Sequence, residues 1–482
     1  MGLRGARFIA AGVLAIVAAA GSAVAVGGTK EGGEAAASGM RLIANYSEGG
    51  TYRNGTDMAF WGDRLLLGNL DQGTGPNASP PGGFRLMDVS NPAKPQQLGK
   101  FVCSGDQSDV SIWEDLVIMS VDKPTRSLCD TGEADWEGLR FVSIADPARP
   151  KLLGALRTDC GSHTHTIVPD EANDRLIVYV LSYPLAGRYN PAQAMLAKCT
   201  APQHGKISVV EVPLDDPAQA KVIGQPSVAP TIGCHDVTVF LERQLAAAAC
   251  LTESQMWDIS DPAKPEVVAH IPNPAGMDLS HSTTFSNDGR TLVIGAELGG
   301  AAASPGCLTA NQDEPSAALF FYDVTGVRAG SPQLKGRFKI PQQRVNIFCT
   351  AHLFNVVPFP RGDDRDVLVS SWYTGATSVI DFTDPAKPKQ IAFSIPDATT
   401  QPSEQPREAA AWASYWYRGH VFSNNFDEDV NSLSPRSRGL DVFAVDHPAV
   451  RGALPLRRLN PQVQEPLPGK PRETGASALP LR

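Results

Sequence analysis

Short runs of alternating apolar and polar residues recur along the chain, and each recurrence sits in the same context. FRLMDVSNPAKPQQLG begins at Phe84, LRFVSIADPARPKLLG at Leu139, ISVVEVPLDDPAQAKVIG at Ile207 and SQMWDISDPAKPEVVAH at Ser254. LFFYDVTGVRAGSPQLKG begins at Leu319, TSVIDFTDPAKPKQIAF at Thr377 and LDVFAVDHPAV at Leu440. Each copy predicts a strand with a period of two, a turn and a second strand. The turn follows from its residues: Asp and Asn side chains cap the backbone, and Pro fixes φ while offering no ladder donor. Two further short strands precede each copy, as in DVTVF from Asp236 and QLAAAAC from Gln244. The unit is therefore four antiparallel strands, with no long amphipathic helix between units.

Seven such units predict an all-β fold, a seven-bladed β-propeller of four-stranded antiparallel blades. Radial closure protects strand edges that an open array would expose. Spread over residues 41–459, the units average about 60 residues against roughly 40–50 for compact blades, so some loops carry insertions. Residues 41–46 (RLIANY) resemble a unit's fourth strand and are placed to complete the last blade. The alternatives are an open solenoid or an array of sandwiches, and a sandwich does not demand one turn motif at every period.

The repeats resemble the LVIVD repeat family. The resemblance rests on WDISDPAKP from Trp257 and IDFTDPAKP from Ile380 and covers nearly the whole chain after its N-terminal segment. Blades three, five and seven depart from it: the second Pro is missing after Asp215-Asp216-Pro217-Ala218, residues 326–331 are inserted, and His447-Pro448 is truncated. The family implies a propeller and says little about chemistry.

The ends of the chain read differently. Arg4 and Arg7, the apolar run of residues 8–20 and Ala23-Val24-Ala25 have the layout of a cleavable secretory signal over residues 1–25. At 1.5 Å per residue the apolar run spans about 20 Å, short of a ~30 Å bilayer core. Residues 26–40 predict a flexible leader, and the Pro-rich residues 460–482 a disordered tail. A secreted, extracellular protein that is not an integral membrane protein is expected. With 42 basic and 51 acidic side chains the net charge is −9. That argues against nucleic acid, which needs a basic surface.

Aligning the start of the first strand of every blade gives Thr56-Asp57, Ser108-Asp109, His165-Thr166, His235-Asp236, His281-Ser282, His352-Leu353 and His420-Val421. Five of the chain's nine histidines share this column. In a propeller the first strand lines the central channel, so the column predicts a ring of imidazoles at one mouth. Metal–nitrogen bonds near 2.0–2.1 Å need several converging imidazoles. The expected ligands are His165, His235, His281, His352 and His420, with His163 two residues before His165 and Glu297 as the rim carboxylate. Asp57, Asp109 and Asp236, one place beyond the column, are placed to orient the ligating rings. The competing reading is that the repeats copy a structural residue that only bonds the neighbouring blade's backbone. All-imidazole sites suit a transition metal ion such as Cu, Zn, Fe or Ni. In general layout alone this is similar to the copper-binding propellers of the selenium-binding and methanethiol oxidase type.

Eight cysteines in an exported chain predict disulfides. Each falls before a first strand or after a second one, on the histidine face. Sequential pairing then gives Cys103–Cys129, Cys160–Cys199, Cys234–Cys250 and Cys307–Cys349. Thiolate ligation by Cys234 or Cys349 is the rival, since His235 and His352 are close by in sequence. Tyr183, Trp372 and Tyr373 end second strands and should rim the same mouth. Trp412, Tyr415, Trp416 and Tyr417 read as packing. No nucleophile elbow, phosphate loop, paired-His zinc motif or dinucleotide fingerprint is present. Two functions follow: a metal site with redox or hydrolytic chemistry on a small molecule, or a non-catalytic scaffold for an extracellular protein or glycan.

Overall fold

The structure, a computed structural model, describes residues 36–48, 55–70, 82–103, 105–125, 129, 136–183, 204–297, 304–305, 307, 313–327, 331–342, 348–395, 409–427 and 438–469. The expected signal segment and Cys199 lie outside them. The described residues form seven antiparallel blades, each a meander running from the channel outward. The innermost strands, blade one to blade seven, are Gly55–Trp61, Val110–Trp113, Thr164–Asp170, Asp236–Phe240, Leu279–Phe285, Phe354–Val356 and Ala409–Tyr417. The outermost strand of blade seven is Met40–Tyr46, which pairs antiparallel with Leu440–Val445, so the two ends of the repeat array close one blade. Ala36–Ser38, in the expected flexible leader, adds a fifth strand to blade six. No helix among the described residues is long and apolar enough to cross a membrane.

The repeated turn does in space what its residues dictate. In blade four the Asp258 carboxylate accepts from Ser260 N–H, and Asp261 accepts from Ala263 N–H. Asp381 and Asp384 repeat the pattern in blade six, and Asp88 and Asn91 in blade one. Beyond the turn, the pairing of third and fourth strands shifts register in all seven blades. Such a bulge raises local twist and turns the outer edge away from edge-to-edge pairing. Apolar side chains from facing blades fill the wedges between them, as Phe321 and Phe382 do between blades five and six.

Two glycines explain how adjacent blades lock. A Cβ on Gly99, in the outer strand of blade one, would lie 2.0 Å from the Pro147 carbonyl oxygen in blade two's turn. One on Gly336, in blade five, would lie 2.2 Å from the Pro385 carbonyl in blade six's turn. Each turn thus rests on bare backbone of the preceding blade. Gly99→Ala and Gly336→Ala should each cost about 1–3 kcal/mol by overpacking. Gly224→Ala, whose new methyl meets only Val209 at 3.9 Å, should be close to neutral. Urea unfolding of the three variants measures the difference.

Three of the expected disulfides are present, Cys103–Cys129, Cys234–Cys250 and Cys307–Cys349. Cys160 is also disulfide-bonded. A thiolate role for Cys234 or Cys349 is therefore excluded in this structure. Thiol titration of the denatured, unreduced protein should find essentially no free thiol.

The expected disordered tail does not begin at Asn460. Leu459 and Arg458 pair with Phe60 and Trp61 of blade one, and Val463 and Gln464 run parallel to Val239 and Phe240 of blade four. Asn460 bonds both the N–H and the C=O of Ile112 in blade two, at 2.8 and 3.0 Å. Gln464 does the same for Phe285 in blade five, at 2.8 and 2.9 Å. Carboxamide side chains here stand in for strand neighbours that the inner strands lack. The segment so crosses the channel floor, at the ends of four inner strands away from the column histidines.

Candidate metal centre

The backbone register decides which histidines are equivalent. His163, His235 and His352 each donate their N–H to the carbonyl of the last residue of their blade's second strand, Leu181, Ala249 and Ser371, at 2.9, 2.7 and 3.1 Å. Blade three therefore presents His163 where blade four presents His235. In blade five the register shifts between Ser280 and Ser282, and this bulge lets His281 join the same level. Four imidazoles from blades three to six meet beneath one mouth. Ring centroids are 4.5 Å apart for His163–His235, 3.6 Å for His235–His281 and 4.6 Å for His281–His352. All four are buried.

Their hydrogen bonds assign the tautomers. His163 Nδ1 contacts Asp122 Oδ2 at 2.9 Å, His281 Nδ1 contacts Ser282 Oγ at 2.6 Å, and His352 Nδ1 contacts the Trp412 carbonyl at 2.5 Å. The Ser282 hydroxyl itself donates to Asp236 Oδ2, so it accepts from His281. Three rings thus commit Nδ1–H to an anchor and keep a lone pair on Nε2. Glu297 is held likewise: Oε1 accepts from the Tyr373 hydroxyl at 2.6 Å, and Oε2 lies 3.8 Å from His281 Nε2. His163 Nε2 and His235 Nε2 are 2.9 Å apart, a contact that needs a proton or another cation between two nitrogens. His235 Nδ1 and Asp236 Oδ1 are buried without a hydrogen-bond partner. Two sets of donor atoms lie within 4.8 Å of one another, those of His235, Asp236 and His281 and those of His281, Glu297 and His352.

The electrostatics keep most of these rings neutral, the form that binds metal. Burial pushes His281 well below the ordinary imidazole value, with His235 and His352 adding to it, and takes His352 down to about 3. His235 is lowered by burial and by His163. Burial opposes protonation of His163 too, yet the Asp122 carboxylate raises it above the ordinary value. Asp57 and Asp109 share a hydrogen bond in the same channel; burial and the neighbouring carboxylate raise Asp57 far above the carboxylate range, and burial brings Asp109 to about 7.

Two expected ligands are elsewhere. His420 opens the second strand of blade seven, across the Arg418-Gly419 turn from Tyr417, and so sits at the opposite end of the blade. Trp412, at a bulge in the innermost strand, takes its place in the ring beside His352 at 4.9 Å. His165 faces blade two, where Nδ1 meets Ser120 Oγ at 2.8 Å and Asp109 Oδ2 at 3.1 Å. Strand alternation dictates this, because Thr164 and Thr166 send their hydroxyls to the His235 and Val237 carbonyls of blade four. Asp236 adjoins the cluster, whereas Asp57 and Asp109 bond each other, Tyr415, Gln462 and the His165 N–H. Asp122 and Trp412 were missed as partners, and only the register shift at each bulge would have revealed them. A further grouping, Asp159, Cys160 and His204, is a poor metal site, since Cys160 is disulfide-bonded and Lys206 pairs with Asp159 at 2.5 Å.

The His352 contribution to the stability of metal-free protein should be lost as pH falls from about 6.5 towards 3, against the opposite trend of the raised Asp57 and Asp109, so it is read as the difference between wild type and His352→Asn. The unfolded chain takes up protons there that the folded His352 refuses, so its contribution is complete above about 6.5 and lost on acidification. By pH 4 this amounts to about 3 kcal/mol. Urea unfolding should show a steeper acid decline for wild type than for His352→Asn.

No family model matches the chain, and no curated protein does, so the likeness to LVIVD repeats remains a resemblance. Some solved structures are similar to the chain at low identity. The Cps50 (Swd1) β-propeller domain of Myceliophteria thermophila is 10% identical, with 84% of this chain and 99% of that chain covered and a TM-score of 0.48. A Lactobacillus plantarum protein is 13% identical over 76% and 89% of the two chains, with a TM-score of 0.48. A putative 6-phosphogluconolactonase from Bacteroides fragilis is 9% identical over 80% and 96%, with a TM-score of 0.45.

Proposed function

We propose that the protein is a secreted propeller that binds one transition metal ion through Nε2 of His163, His281 and His352 together with His235, with Glu297 as a carboxylate ligand. The carrying observation is the shared polarity of the cluster: Nδ1 of three rings is held by an anchor, and donor atoms of His235, Asp236 and His281 and of His281, Glu297 and His352 lie within 4.8 Å of one another. The close His163–His235 Nε2 contact and the unpaired His235 Nδ1 and Asp236 Oδ1 beside it cost free energy that a bound cation would recover. A histidine–carboxylate donor set suits Cu, Zn or Fe. Such an ion supplies Lewis acidity or electron transfer. The chain's own groups then position it: Asp122, Ser282 and Trp412 fix ring orientation, and Tyr373 holds Glu297. The three disulfides fit an oxidising compartment. Redox or hydrolytic work on a small molecule fits the site better than a scaffold role, because a docking surface has no need of buried, neutral imidazoles.

Titration of metal-free protein with Cu(II) or Zn(II) against a chromogenic chelator tests this. Saturation at one equivalent is expected, unchanged by His420→Ala. Absence of saturable uptake would refute the reading.

A further inference from the structure

Beside the imidazoles lies a half-open pocket of about 20 Å³ lined by His235, His281, His352, Asp57, Asp109 and Asp236 together with Leu353 and Trp412. A space of this size holds one water-sized molecule and little more. Its walls are mixed, apolar at Leu353 and Trp412, and Asp236, whose Oδ1 has no hydrogen-bond partner, is among them. An acceptor buried like this calls for a donor. The opposite wall carries the Asp57–Asp109 pair, already bonded to Tyr415, Gln462 and the His165 N–H. Below, the segment from Arg458 to Gln464 bonds the inner strands of blades one, two, four and five and lays Gln462 against Asp57.

We propose that this pocket is a binding site for one small protic molecule of the size of water, hydroxide, hydrogen peroxide or hydrosulfide. Its ligand donates to Asp236 Oδ1 and faces the converging Nε2 atoms. In that geometry it is the exogenous partner of whatever those nitrogens hold, so the inference deepens the metal reading and narrows its substrate class. Larger organic molecules meet the site only at its outer rim.

Two measurements test it, and the first is independent of any metal. A high-resolution crystal structure of metal-free protein should show a single water-sized density peak within hydrogen-bond distance of Asp236 Oδ1. A dry cavity, or one holding a larger occupant, overturns the proposal. The second uses protein loaded with Cu(II). Azide should shift its optical and EPR spectra, whereas imidazole at equal concentration should not. Equal responses to azide and imidazole in wild type, or no response to azide, contradict a pocket of this size. Failure to retain Cu(II) at all sinks the metal reading instead, and the crystal structure still decides the pocket.

Discussion

Replacing His235 and His352 together by alanine is expected to lower metal affinity by at least a thousandfold while leaving the propeller folded. The two rings lie on either side of His281 and belong to different donor sets, so their joint loss leaves neither set intact. Loss of one imidazole ligand typically removes more affinity than the 10–100-fold cost of losing an outer partner. The contrast is therefore informative: Asp122→Asn, which frees only the anchor of His163, should cost that smaller factor. His165→Ala and His420→Ala should leave affinity unchanged, because neither ring reaches the cluster. Chelator competition on the four variants reads all of this, and circular dichroism checks that each is folded. A double variant that binds metal as wild type does would show that the ion, if any, sits elsewhere.

The second large effect concerns the floor. Asn460→Ala leaves the Ile112 N–H and C=O without partners in a buried setting, and Gln464→Ala does the same at Phe285. Each unsatisfied buried group costs about 1–3 kcal/mol. The pair of substitutions leaves four such groups and should thus remove at least about 4 kcal/mol, a large share of a typical folding free energy of about 5–15 kcal/mol. The sites are on blades two and five, so the losses should add. Thermal and urea unfolding of the single and double variants tests this. A double variant as stable as wild type would mean that the segment only rests on the floor.

The repeats carried the fold because every copy pairs period-two strands with a turn whose Asp or Asn side chains bond the backbone two residues on. The site was legible in part for a related reason. His235, His281 and His352 begin innermost strands, and the column captures them. It fails where strand register is not written in the local pattern. In His163-Thr164-His165 both histidines have the same parity, and only the pairing with Leu181 selects the first. In blade seven the innermost strand AAAWASYWY lacks alternation, so the next strand, opened by His420, looked like the first. The tail misled for another reason: Pro461, Pro466 and Pro468 suggest disorder, but the intervening Asn460, Gln462 and Gln464 carry amide side chains that imitate a strand's own donors and acceptors.

Neutral imidazoles at the mouth of a cross-linked propeller make one statement about the protein as its source makes it. Elemental analysis of protein isolated from its native compartment, with X-ray absorption at the edge of the metal found, is the most direct check. The expected result is about one equivalent of Cu, Zn or Fe per chain, with nitrogen and oxygen neighbours near 2.0–2.1 Å. Metal-free protein that takes up none of the three ions, or a metal surrounded by sulfur near 2.3 Å, would contradict it.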